Sequence, residues 1–269
     1  MGEAAALASA YHGLLRVSVV KALTYRAQLV IWLLASLFPL IMMTVWLSVV
    51  DQVGPAAGWG RNDFISYYVA AAALFHRTSG DLNWSWDSEM RSGDLSFRLL
   101  KPVSPVHHHI AMDIGLVSVT AALLVPVVLV LTAVLDSVRY PIGAGSLVLF
   151  LAAVVLGFAV SIAMSLAFAM GAFWSTQTAS LYWLWWGAGS FLSGWVAPVS
   201  VLPDPLQRAA QVLPFRSVLG FPLELLLGRL DADQIMTGFA VGLSWLVLLT
   251  AVQQVLWHRG IVRYQAVGG

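Results

Sequence analysis

The chain of 269 residues is 59% hydrophobic and only 10% charged, with a formal net charge of +1. A soluble domain carries roughly 25% charged residues, so this composition belongs in a bilayer, and the near-zero charge gives no signal for nucleic acid. The lack of cysteine excludes a disulfide framework and thiolate chemistry.

Along residues 1–27, Ser9, His12 and Arg16 fall on one helical face, while Leu7, Tyr11, Leu14, Leu15 and Val19 supply apolar surface. This predicts a helix lying in the inner interface, with Lys21 and Arg26 near headgroups. A plain cytoplasmic extension of the first span is the alternative. The apolar run that follows is too long for the h-region of a signal peptide, so it reads as a retained anchor.

A spanning helix needs about 20 apolar residues. Six are expected, at about 29–50, 64–84, 110–135, 147–174, 181–199 and 235–257. With the N-terminus inside, nine basic residues fall on the cytoplasmic face: Arg16, Lys21, Arg26, Arg77, Arg91, Arg98, Lys101, Arg259 and Arg263. The outer face receives five, Arg61, Arg139, Arg208, Arg216 and Arg229. That bias favours cytoplasmic N- and C-termini.

His76, Arg77 and Asp81 interrupt the second span. Ionisable groups inside a membrane are functional candidates, here for a substrate path, although Arg77 near the interface would also snorkel to headgroups. The segment 85–109 then alternates apolar Met90, Leu95, Phe97, Leu99 and Leu100 with charged Glu89, Arg91, Asp94, Arg98 and Lys101. Gly93 permits a bend, and Pro102 and Pro105 stop a direct run into the third span. This predicts a short amphipathic element across the membrane surface, suited to a soluble partner. His107, His108 and His109 point in different directions on a helix, so a polar interface cluster is expected there, with no metal.

The fifth span carries Tyr182, Trp183, Trp185 and Trp186, followed by Trp195. They suit an interfacial aromatic belt, the wall of a cavity for apolar or cationic ligands, or, with Gly187, Gly189 and Gly194, close helix packing. Gly194, Pro198, Pro203, Pro205, Pro214 and Pro222 break the region before the last span. That region is too apolar for an exposed loop.

Three stretches carry a resemblance. "MRSGDLSFRLLKPVSP", "FLSGWVAPVSVLPDPLQRAAQVLPFRSVLGFPLELLLG" and "WHRGIVRYQAVGG" are similar, in order, to segments of six-span permeases of the type-2 ABC exporter class. The resemblance covers essentially the whole chain as one transmembrane domain of the bacterial inner membrane. It implies that residues 85–109 contain a coupling helix for a nucleotide-binding subunit, with Glu89, Arg91, Gly93, Asp94, Leu95, Phe97 and Arg98 as contact residues. It also implies short external helices over 200–234 that dip back into the outer leaflet. Gly194, Pro198, Pro203, Pro214, Phe215 and Arg216 would form that gate, with Glu224 nearby.

The sequence contains no Gly-x-x-x-x-Gly-Lys-Ser/Thr phosphate loop. ATP and Mg would therefore sit on a separate cytoplasmic ABC ATPase, present in two copies, and this chain would bind no cofactor of its own. A second six-span permease, a sister chain rather than an identical one, would complete the path within the surrounding lipids. Hydrophobic or cationic drug-like compounds are the expected cargo, with lipid or glycolipid export as the alternative. A secondary transporter or channel is the next reading. An intramembrane enzyme is the last, because Ser161, Ser165 and Ser193 have no histidine at helical spacing.

Overall fold

The computed structural model of the chain describes residues 2–74, 81–141, 143–175 and 177–264. Thirteen α-helices account for most of them: α1 Gly2–Thr24, α2 Arg26–Ala35, α3 Phe38–Val53, α4 Arg61–Leu74, α5 Asp81–Ser92, α6 Asp94–Leu99, α7 Pro105–Val134, α8 Ala144–Met170, α9 Thr178–Leu192, α10 Asp204–Val212, α11 Phe215–Val218, α12 Gly220–Leu226 and α13 Ala232–Ile261. Among the described residues the only β-type pairing is an isolated bridge between Ala56 and Trp59. The protein is an all-α membrane protein.

Among the described residues, four stretches are long and apolar enough to cross a bilayer: Leu33–Val53, Pro105–Val134, Ala144–Phe173 and Ala232–Ile261. They correspond to the first, third, fourth and sixth expected spans. The first is broken at Ser36 and Leu37, where α2 passes into α3. In the second, α4 ends at Leu74 and a separate helix, α5, begins at Asp81; His76 and Arg77 lie outside the described residues. The fifth is shorter than expected. At 15 residues, α9 rises about 22 Å, less than a hydrocarbon core of about 30 Å. It stops before Gly194, whose φ of 97° leaves the helical region.

The most buried of the four long helices is α8, and α13, α12, α11, α9 and α5 all pack on it. Small residues allow this. A Cβ on Gly157 of α8 would strike the backbone of Ser217 and Val218, and one on Gly242 of α13 would meet Leu156 of α8. The aromatic core sits at two ends. At one end Trp59, Phe64, Tyr67 and Tyr68 pack with Leu219 and Leu223. At the other, Leu82, Trp86 and Leu95 pack with Leu166 and Met170.

The N-terminal helix follows α7 rather than standing apart. Tyr11 Oη lies 2.6 Å from His107 Nδ1, and Ser18 Oγ donates to the Met112 carbonyl at 2.6 Å. Gly115 faces Ser18 with no room for a side chain. The two helices therefore run side by side in the same direction over about two turns.

Candidate functional site

At one end of the molecule, α5 and α6 meet at Gly93, which has φ 79° and ψ 1°. This is the left-handed region, where a Cβ costs roughly 1–2 kcal/mol. The turn sends α6 off at a new angle, and Glu89 holds it there. Glu89 Oε2 accepts from Arg98 Nε at 2.6 Å, Oε1 is 2.6 Å from Arg98 Nη2, and Oε2 is 3.1 Å from His109 Nε2. A single carboxylate thus ties α5, α6 and α7 together. Burial acts to raise the Glu89 carboxyl, but hydrogen bonds from His109 and Arg98 and their positive charges bring it down to about 2. The two-toothed geometry with arginine is the strong form of such a pair.

The C-terminal segment buttresses the same element. Tyr264 Oη lies 3.1 Å from Ser96 Oγ and donates to the Gly93 carbonyl at 3.4 Å. Gly260 admits the Phe173 ring against the α13 backbone, and the Arg263 guanidinium lies 6.0 Å from the centre of the Trp174 ring. Two of the three sequence stretches that carried the family resemblance therefore meet in space.

The expected contact residues divide into two groups. Leu95 is fully buried beside Trp86, and Glu89 and Arg98 face each other, so these three hold the element in place. Asp94 accepts from Ser92 Oγ at 2.7 Å across the Gly93 turn, and Arg91 pairs with Asp87 at 2.8 Å. The outward surface is Phe97 and Leu100, 69% and 84% exposed, with Leu99 beside them. The result is a rigid base with an apolar tip.

At the opposite end, the broken region after α9 is pinned by side chains from the N-terminal half. Tyr67 Oη donates to the Gly194 carbonyl at 2.7 Å. Tyr68 Oη and Trp46 Nε1 both donate to the Val196 carbonyl, at 2.8 and 2.7 Å. The Gly220 N–H returns to the Ser193 carbonyl at 2.8 Å. Beyond Pro198 a short 3-10 turn, Val199–Val201, leads through Pro203 into α10. Pro214 and Phe215 are buried, and the Phe215 ring fills the slot left by Gly189. Non-helical backbone is tolerated at depth only where protein covers it, and here α8, α9 and α13 cover it. Arg216 and Glu224, expected in this region, form a largely buried pair.

A family model described as ABC-2 family transporter protein matches residues 30–268. The chain belongs to this family. No curated protein matches it. In this ABC-2 transporter chain, the matched region contains both the Gly93 element and the buried α11–α12 pair.

Three of the four aromatic candidates of this ABC-2 chain, Tyr182, Trp185 and Trp186, share one small cavity. Tyr182 is buried, and its Oη accepts from Ser165 Oγ at 2.9 Å. Trp185 packs between Phe168 and Phe215, and Trp186 lies against Trp195. Trp183 is 45% exposed. The cavity lined by Tyr182, Trp185 and Trp186 holds only about 20 Å³, room for about one water. The three histidines diverge as their helical spacing requires: His107 reaches Tyr11 and His109 reaches Glu89. Sequence reasoning placed His109 in a polar cluster and Tyr264 in a family-like stretch without naming a partner for either, and gave no role to Tyr67, Tyr68 or Trp46. The signal for the last three was a polar tip on each aromatic ring in an apolar stretch.

Proposed function

We propose that the chain is the six-span permease subunit of an ATP-driven exporter, with both termini cytoplasmic in a bacterial inner membrane. The carrying observation is the apolar tip of α6 on its braced base. Phe97 and Leu100 stand in the open while the residues behind them are buried or paired, which suits docking into a cleft of a soluble ATPase. Two such ATPases, each binding its own ATP and Mg, would draw the two coupling elements of a permease pair together and turn the path outward.

The second permease, a sister chain in this reading, supplies the other half of the path. The single-chain cavity at Tyr182 is too small for a drug-sized molecule, so the cargo site belongs between chains, with the Trp183 and Trp186 side of α9 facing it. Hydrophobic or cationic compounds suit such a wall through stacking and cation–π contact.

The test is co-purification of the partner ATPase with a Phe97→Ser/Leu100→Ser variant. Both side chains are exposed, so the chain keeps its fold. Capture falls at least about tenfold, as expected for losing two apolar anchors. Normal assembly together with normal transport-stimulated hydrolysis sinks the coupling assignment.

A further inference from the structure

Opposite the Gly93 end, between the 54–60 loop, α10, α12 and the start of α13, lies a cavity of about 200 Å³. Unlike the aromatic cavity at Tyr182, it sets polar groups, Ser200, Gln207, Gln211, Gln234 and the Arg216–Glu224 pair, beside apolar Trp59, Val199 and Leu230. At roughly 30 Å³ per water it has room for six or seven waters, and it falls below the roughly 300–1,000 Å³ of drug-sized sites.

The charges in this wall are already matched. Arg216 gives Nε and Nη2 to Glu224 Oε2. Arg229, which also borders the cavity, is 2.7 Å from Asp63 Oδ2, donates to the Gly58 carbonyl and lies 4.2 Å over the Trp59 ring. A charged ligand would have to break these pairs and leave one partner buried without compensation, which is costly. A neutral ligand leaves them intact.

The amides present complementary valences. Gln207 donates through Nε2 to the carbonyls of Ser200 and Leu202, which leaves Oε1 to accept. Gln234 uses Oε1 to accept from the Asp231 N–H, which leaves two hydrogens to donate. Gln211 and Gln234 are both exposed, at the rim, and Gln207 is half-buried. Glu224 Oε1 adds an acceptor and Arg216 Nη1 two donor hydrogens. Donors and acceptors set side by side around a ring-sized space suit neighbouring hydroxyls, each of which both gives and accepts a hydrogen bond.

We infer that this cavity binds a single neutral hexose ring, held through its hydroxyls by Gln207, Gln211, Gln234 and the outer valences of the Arg216–Glu224 pair. The site stands whether or not the chain is driven by ATP. A free sugar and a glycolipid headgroup share this chemistry.

The full chain in phospholipid nanodiscs, prepared without glycolipid or sugar-based detergent, tests it by saturation-transfer NMR with methyl glucoside. A saturable signal is expected, weakened about tenfold in Gln211→Leu and in Gln234→Glu, as for one lost hydrogen bond in a polar site. Glu224→Gln is the more direct change but leaves Arg216 without its partner, so the rim variant Gln211→Leu, with an unchanged melting midpoint, is decisive. Octyl glucoside binding more tightly than methyl glucoside, by a margin that Gln211→Leu abolishes, assigns the site to a glycolipid headgroup; equal binding assigns it to free sugar. No saturable signal, equal binding by Gln211→Leu, or displacement by phosphoethanolamine or inorganic phosphate but not by glucose, overturns the assignment.

Discussion

Glu89 carries more structure than any other single carboxylate at the Gly93 end. Replacing it with Gln leaves the Arg98 guanidinium, only 24% exposed on its side chain, facing an amide. The cost is roughly 1–3 kcal/mol, less than for a fully buried pair. Changing Arg98→Met in the same chain should recover part of that loss in a thermal melt, because the stranded charge is then gone too. The acid also makes the brace sensitive to pH. Its folded value of about 2 lies below the ordinary 4.5, so its contribution is complete above pH 4.5 and is lost as pH falls from there towards 2. Hydrogen exchange of α6 amides in purified protein should quicken over that window in the wild type and stay flat in Glu89→Gln. Full protection of α6 at the acid limit would dismiss Glu89 as its brace. The sequence showed Glu89 and Arg98 as two charges in an amphipathic run. Nothing in their spacing indicated that they would face each other, because the left-handed turn at Gly93 between them sets that geometry.

At the scale of elements, the α11–α12 pair is seated by absences. Gly157, Gly189 and Gly238 each leave a space that Ser217, Phe215 or Phe221 fills. A matched pair on α9 isolates the effect. Gly189→Ala drives a methyl into the Phe215 ring, whereas Gly187→Ala meets nothing within 4 Å. The first should cost about 1–3 kcal/mol through overpacking; the second should be neutral or slightly stabilising, since alanine is the better helix former. Equal melting midpoints for the two would refute the slot. Long apolar helices were legible because about 20 consecutive apolar residues have few other uses, and α7, α8 and α13 lie close to their expected limits. The shortness of α9 was not legible, since the apolar composition continues past Leu192 and only the backbone at Gly194 ends it. The buried proline-rich region could be read as non-loop from its apolarity, but the tyrosine and tryptophan tethers to its carbonyls come from residues more than a hundred positions away.

For the whole molecule, the two ends differ in chemistry. One carries the α6 tip and the C-terminal tyrosine, the other the amide-lined cavity and the buried ion pair. If the positive residues orient the chain as expected, these ends lie on opposite sides of the membrane. The chain has no cysteine, so one introduced thiol reports one site without background. In sealed cells, an impermeant maleimide should label Gln211→Cys at once and Leu100→Cys only after the membrane is opened; the reverse pattern would invert the topology. The apolar tip also bears on how the subunit survives before assembly. Made without its ATPase, the chain displays Phe97, Leu99 and Leu100 to water, the kind of patch that quality-control proteases take for an unfinished fold. On the proposed coupling, its cellular amount should follow the supply of the ATPase, and the Phe97→Ser/Leu100→Ser variant, which lacks the apolar patch, should outlast the wild type whenever that supply is short.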